Sequence, residues 1–331
     1  ISYGQIKTHQ IGRLWQSLFN VSSIPNYAPL YTGMSYPGGD FFLGTRKNME
    51  RTGIWIGTKD WTDKFNQSKP FYVSEGGYLN NEAPDYLWPV SNKKKVRQRL
   101  PLVVVNGEPD PRIMDNRSSS TRSTSLESDE LIETVWRTNV GVEVTRNTYA
   151  FANRRHDNYI IHEYIFTNSG NVDKSSAIEL KNQNLTGVYF GFWRTFIPSG
   201  EIGHEQMGGE HDEWCHYYGN KPGDELRGLW YVYDGDNQRK SFDDTGDPSE
   251  VTGELLATQY PAFGVIHADV GHDDETDDTS QPATVNYWTE QQVHSHTKGD
   301  PEQTLYADLS SGIQSSGSDE AGYSDPWDPE I

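Results

Sequence analysis

NVGVEVTRNTYAFANRRHDNYIIHEYIFTNSG, from Asn139 to Gly170, is the stretch on which the fold assignment turns. Its first arm alternates Val140, Val142 and Val144 with Gly141, Glu143 and Thr145, the period of two that belongs to a strand with one buried face. After a loop over Ala152 to Asn158, the second arm reads YIIHEYIFT. It puts Tyr159, Ile161 and Ile165 on one side and Ile160, Tyr164 and Phe166 on the other. Apolar residues on both faces predict a strand covered on both sides. The stretch therefore predicts a β-hairpin in the interior of the fold.

Flanking segments repeat the signal. GIWIG, ending at Gly57, alternates Ile54 and Ile56 about Trp55, and FYVSEGGYL contains a short extended piece. Downstream, SSAIEL and LTGVYFGFWRTFI predict two strands, the second with Val188, Phe190, Phe192 and Phe196 on one face and Tyr189 and Trp193 on the other. GLWYVYD, PAFGVIHAD and ATVNYWT predict three more. The opening segment spaces Ile11, Leu14, Trp15, Leu18 and Phe19 as either a short helix or irregular edge structure would. Many short strands with no helical run between them predict an all-β fold, an antiparallel two-sheet β-sandwich with long aromatic-rich loops. The polar run NRSSSTRSTSLES, Asn116 to Ser128, is the linker candidate. It divides the chain into an N-terminal strand and loop region (1–125), a core sandwich (126–298) and an acidic extended tail (299–331).

Composition bounds the function. Of 331 residues only 34% are hydrophobic but 12% are aromatic, and 31 Gly with 17 Pro favour turns over helices. A net charge of -20 excludes a phosphate-tracking surface, which needs clustered Lys and Arg. The single cysteine, Cys215, excludes an internal disulfide framework and a cysteine-based zinc site. No apolar run approaches the eighteen residues of a membrane-spanning helix. The chain begins at Ile1 with no initiator Met and no basic-then-apolar leader, as expected of a mature product after signal-peptide removal.

GIWIG, the Asn139 to Gly170 hairpin, LTGVYFGFWRTF, LWYVYDGDN and PAFGVIHAD together resemble a large group of mostly uncharacterised secreted bacterial β-sandwich proteins, typically type IX secretion cargo. The resemblance covers roughly Tyr36 to Asp269, and its motifs are structural rather than catalytic. It implies an extracellular sandwich on, or released from, a bacterial surface. Such proteins usually end in a sorting domain, and Ser324 to Ile331 holds none.

Four constellations are candidates for chemistry. GHEQMGGEHDEWCHYYGN gathers His204, Glu205, Glu210, His211, Asp212, Glu213 and His216, a transition-metal ligand set. Its spacing is not the metalloprotease one, because Gly208 stands four residues after His204. An exposed polar loop is the competing reading. YDGDNQRKSFDDTGDPSE makes the better case, for Ca²⁺. Asp234, Asp236 and Asn237 with Asp243, Asp244 and Asp247 bring six oxygen-bearing side chains round tight turns, against the alternative of a solvated acidic turn. A second acidic loop runs from His267 to Asp278. Glu163 is the acid of an otherwise apolar strand, where burial would raise its pKa as glycoside hydrolysis requires, or where Arg146 or a backbone group would satisfy it. Serine-hydrolase, P-loop and dinucleotide fingerprints are absent.

These readings predict a non-catalytic, secreted or cell-surface structural or adhesive protein that assembles with its own copies, aided by Ca²⁺. The alternative is an extracellular glycan-binding module or glycan-active enzyme, suggested by ten Trp and nineteen Tyr. Copies at -20 repel one another, so assembly calls for a positive counterpart. Lys93, Lys94, Lys95, Arg97 and Arg99 form the one concentrated basic run, read either as that docking patch for the acidic tail or as a solvated edge strand.

Overall fold

The structure is a computed structural model that describes residues 4–22, 33–36, 38, 47–76, 87–99, 101–109, 119–196, 214–218, 227–233, 259–285, 302–312 and 316–318. The chain divides into two compact units, Ile1–Phe42 with Glu50–Arg194, and Leu43–Met49 with Thr195–Ile331. The first half of the chain contains β1 (Ile6–His9), β2 (Trp15–Phe19), β3 (Met34–Ser35), β4 (Lys47–Thr62), β5 (Ser68–Ser74), β6 (Leu87–Val96), β7 (Val104–Val105), β8 (Glu108–Pro109) and β9 (Ser120–Arg122). There follow β10 (Glu130–Thr138), β11 (Val142–Ala150), β12 (Ile160–Asn168), β13 (Thr186–Phe196), β14 (Trp214–Tyr218), β15 (Arg227–Tyr233), β16 (Ala262–Val265), β17 (Asp269–Gly271) and β18 (Asp274–Asp277). Helix α1 (Glu302–Leu309) and β19 (Ser316–Ser318) complete the described elements. The fold is mostly strand, with several antiparallel sheets and one short helix among the described residues.

Two sheets build the first unit. One runs β1-β2-β3-β4-β13, with β5 also paired to β4, and the other runs β12-β11-β10-β6-β9. The alternation read in the first arm is real: β11 buries Val142, Val144, Arg146, Thr148 and Ala150 and turns the residues between them outward. β10 does the same with Ile132, Thr134, Trp136 and Thr138, and the register sets Trp136 opposite Val144 and Thr134 opposite Arg146. GIWIG lies inside β4, buried from Thr52 to Gly57. Its Gly53 has a packing reason. A Cβ there would lie 1.9 Å from the Gly76 carbonyl oxygen and 2.1 Å from the Trp193 indole. One buried cluster draws on both sheets, taking Ile54, Ile56 and Trp61 from β4 and Leu87, Trp136, Val142 and Val144 from the other.

Four expectations need correction. The opening segment is neither helical nor irregular: β1 and β2 pair antiparallel, and Gln16, Ser17 and Leu18 are buried. SSAIEL is not a strand. It follows a turn in which Asn171 and Asp173 side chains accept backbone N–H groups two residues on, and that local bonding competes with a ladder. The second arm of the hairpin pairs with β11 as predicted, yet among the described strands β12 is the terminal one of its sheet and not an interior one. Only its inner row of His162, Tyr164 and Phe166 meets the core; in the outer row Glu163 is exposed and Ile165 is 48% exposed. Ile161→Asp, on that half-buried outer row, is accordingly expected to change stability by no more than about 1 kcal/mol in a thermal melt. Lastly, the tail expected to be extended contains α1, which begins with an acidic residue, Glu302, and buries Leu305 and Tyr306.

In the second unit β16-β15-β14-β19 form one sheet, and β17 and β18 a small hairpin. GLWYVYD and PAFGV thus become strands as read, while ATVNYWT is described only to Val285. The stretch read as a linker is tied down from Ser119 onward. β9 lies parallel to β6, and Arg97 Nε donates to the Leu126 carbonyl at 3.1 Å.

Candidate functional site

The inner face of the β12-β11-β10-β6-β9 sheet is apolar at one end and ionic at the other. Trp136, Val142, Val144 and Leu87 occupy the first end, whereas Glu130, Lys94, Thr148 and Arg146 occupy the second. The same period of two that makes a core makes this cluster. β6 buries Asn92, Lys94 and Val96 and turns Lys93 outward. Lys94 stands opposite Ile132 and Val96 opposite Glu130, so the Lys94 and Glu130 side chains share a face one row apart.

β1 brings the third member. Lys94 Nζ lies 2.8 Å from Glu130 Oε2, and His9 Nδ1 lies 3.1 Å from the same oxygen. All three side chains are at most 2% exposed. Lys94 also donates to the Thr8 carbonyl at 2.6 Å, and the Gln10 backbone N–H donates to Glu130 Oε2 at 3.1 Å. Burial alone pushes the Glu130 carboxyl up, but the Lys94 ammonium and the His9 hydrogen bond outweigh it and hold the group at about 2. Burial pushes both His9 and Lys94 below their ordinary ranges. The close His9–Glu130 approach is therefore a hydrogen bond from a neutral ring, with Nδ1–H donating to the carboxylate and Nε2 facing the Thr148 hydroxyl at 3.0 Å. Charge in the cluster resides on Lys94 and Glu130.

Beside it lies a second polar layer. Arg146 places its guanidinium 5.3 Å from the Trp136 ring centroid and donates to the Phe19 carbonyl. His162 Nε2 donates to Gln16 Oε1 at 2.9 Å, and its ring stacks on Tyr164. Although His162 is half-buried by area, burial and then the Arg194 and Arg146 cations hold its imidazole well below the usual range.

A pH dependence follows. His9, His162 and Glu130 all have folded-state pKa values below their unfolded ones, so acid protonates the unfolded chain first. Their stabilisation is complete above about pH 6.5, the ordinary histidine value, and declines below it. The Glu130 part is lost between its ordinary 4.5 and about 2 and amounts to roughly 3 kcal/mol. The melting temperature of the first unit should fall steadily from pH 7 to pH 3 in calorimetry. A flat profile would contradict the buried cluster.

This arrangement binds two sheets together and turns most of its polar atoms on one another, leaving Glu130 Oε1 and Arg146 Nε buried without a hydrogen-bond partner. It offers a structural core, not a nucleophile facing solvent. Sequence reading missed Glu130 and His9 and took Lys94 for a surface charge. The signal available was that Asn92, Lys94 and Val96 alternate with Ser91, Lys93 and Lys95.

The predicted site residues fare differently. Asp234, Asp236, Asn237, Asp243, Asp244 and Asp247 lie outside the described residues, as do His204, Glu205, Glu210, His211, Asp212 and Glu213. His216 is described: it is buried on β14 and stacks on Tyr231 and Tyr233 at 5.3 and 5.4 Å. In the loop from His267 to Asp278, His267 bridges Asp269 at 2.9 Å and Asp277 at 3.5 Å, while Asp274 and Asp278 accept local turn hydrogen bonds. Among the described residues no three His, Cys, Asp or Glu side chains gather as a cation would need.

Glu163 fits neither reading, the desolvated acid or the carboxylate satisfied by Arg146 or a backbone group. It faces solvent and accepts from Asn147 Nδ2 and Tyr149 Oη, both at 2.8 Å, while Arg146 points to the opposite face. Burial and then that hydrogen bond push the Tyr149 phenol up to about 12.

Of the basic run, Lys94 is buried, Lys95 pairs with Glu133, and Arg97 pairs with Asp129 at 3.3 Å. Lys93 and Arg99 are exposed. β6 is no open edge, since β10 and β9 flank it. No described helix is long and apolar enough to cross a membrane. Compared with protein families, curated proteins and solved structures, the chain matches none.

Proposed function

We propose that this chain is a secreted or cell-surface structural or adhesive protein, non-catalytic, that assembles with its own copies. The observation that carries the reading is the outer edge of β12, a nine-residue strand with no described strand beyond it, whose outer row leaves Ile165 48% exposed. A long edge with apolar side chains is a template for adding another strand, and monomeric proteins usually blunt it. The shared core cluster supports a further reading, that the two sheets of the first unit are the layers of an antiparallel β-sandwich. In this proposal Ca²⁺ binds at Asp234, Asp236, Asn237, Asp243, Asp244 and Asp247, relieving the repulsion between copies at -20. Light scattering on the purified chain tests both parts. Assemblies larger than one chain are expected with calcium, shrinking on chelation; a size indifferent to the chelator would remove calcium from the proposal.

A second reading, glycan binding, is favoured by one feature of the second unit. Tyr260 is 52% exposed and lies 5.4 Å from Tyr233, at the end of the His216, Tyr231 and Tyr233 stack, where a sugar ring could lie on it. Binding on a glycan array that Tyr260→Ala abolishes would establish this reading, and a blank array would dismiss it.

A further inference from the structure

The segment between β6 and β9 exposes a hairpin of unusual composition. β7 and β8 pair across Asn106 (φ 53°) and Gly107 (φ 88°), the two left-handed residues of a tight hairpin turn. Residues 101–109 are all exposed. Leu102, Val103, Val104 and Val105 are 53, 39, 52 and 56% exposed, four successive apolar side chains of which three are β-branched. Such a run in water marks an interaction surface. Its two edges are not equivalent. β8 carries Pro109, which has no N–H, whereas the Leu102 to Val105 arm has no proline, so the alternate N–H groups that it turns away from β8 can all donate.

The same chain carries a receiving edge that its own hairpin does not fill, since β7 and β8 form a two-stranded sheet by themselves. β9, the next described strand after the hairpin, forms one border of the five-stranded sheet, and β12 forms the other. Four strand spacings separate them, about 19 Å. The paired part of the hairpin is two residues per arm, about 7 Å. A second copy meets no such limit.

We propose that the Leu102 to Val105 arm of one copy adds antiparallel to β12 of a second copy, continuing the five-stranded sheet from chain to chain. Charge sets the direction. Antiparallel addition carries the turn to the start of β12, where Glu108 meets the exposed Arg154 and Arg155; parallel addition would carry it towards Asp173. Each contact uses the hairpin of one copy and the edge of another, so the first keeps its edge unused and the second its hairpin. The product is an open filament, not a closed dimer. This inference rests on the self-assembly reading and names its interface.

The test uses the full chain and two variants, Leu102→Lys with Val104→Lys on the hairpin and Ile165→Lys on the edge. All three positions are solvent-exposed, so circular dichroism should be unchanged. In sedimentation velocity each variant alone should self-associate about thirtyfold more weakly than the unaltered chain. An equimolar mixture should form a discrete heterodimer, because one partner keeps the hairpin and the other the edge. Glu108→Arg should weaken assembly, and Arg154→Glu with Arg155→Glu should restore it. If the unaltered chain assembles and the hairpin variant assembles equally well, this interface is wrong while self-assembly stands. If the unaltered chain stays monomeric, both are wrong. Hairpin-dependent flotation of a monomeric chain with phosphatidylcholine vesicles would overturn the second copy as occupant in favour of a lipid surface.

Discussion

Glu130→Leu should destabilise the first unit by about 3–5 kcal/mol, because it leaves the Lys94 ammonium buried with no counter-ion. The substitution also strips His9 Nδ1 and the Gln10 N–H of their shared acceptor. The loss comes from abandoning a buried charge, not from the worth of the pair itself. The double variant Glu130→Leu, Lys94→Met removes both charges and fills the space with apolar atoms, and should recover most of the loss. Chemical denaturation of the wild-type chain, both single variants and the double gives the coupling between the sites. Additive losses would mean that the two side chains are not partners in the core.

Trp136→Ala ranks next, at about 3–5 kcal/mol. The indole is 1% exposed at the centre of the cluster that draws on both sheets, so its removal opens a cavity where β4 and β10 side chains converge. It also deprives the Arg146 guanidinium of the ring 5.3 Å away, and that cation then sits desolvated with less to stabilise it. Trp136→Phe keeps an aromatic face for Arg146 and should cost distinctly less. Equal losses for the two variants would place the effect in volume alone and assign the cation–ring contact no part.

What could be read in advance divides along physical lines. Alternation over Val140, Val142 and Val144 and the bulky run in GIWIG were legible because apolar side chains on a strand report directly which face is covered. β12 was misjudged for the same reason. Its Ile165 is apolar yet exposed, and no residue type records whether another strand lies beyond. The opening segment shows apolar spacing that a helix and an irregular strand share, and pairing between β1 and β2 decided the matter. The ionic cluster was hidden twice over. Lys94 stands among other cations, so hydropathy assigns it to solvent, and its partners His9 and Glu130 are 85 residues before it and 36 after it in sequence. Burial of a charge depends on a counter-ion that only the folded chain supplies. The acidic motif from Asp234 to Asp247 lies outside the described residues, so it stands as read from sequence.

Sedimentation velocity of the unaltered full-length chain, with calcium and over a hundredfold range of concentration, is the decisive experiment for assembly. A copy that carries both a sheet edge with no described partner strand and an apolar hairpin should give a series of species that grows with concentration without stopping at a dimer. A single monomeric boundary across the whole range would contradict homomeric assembly, and β12 would then be an edge that the chain leaves unpaired.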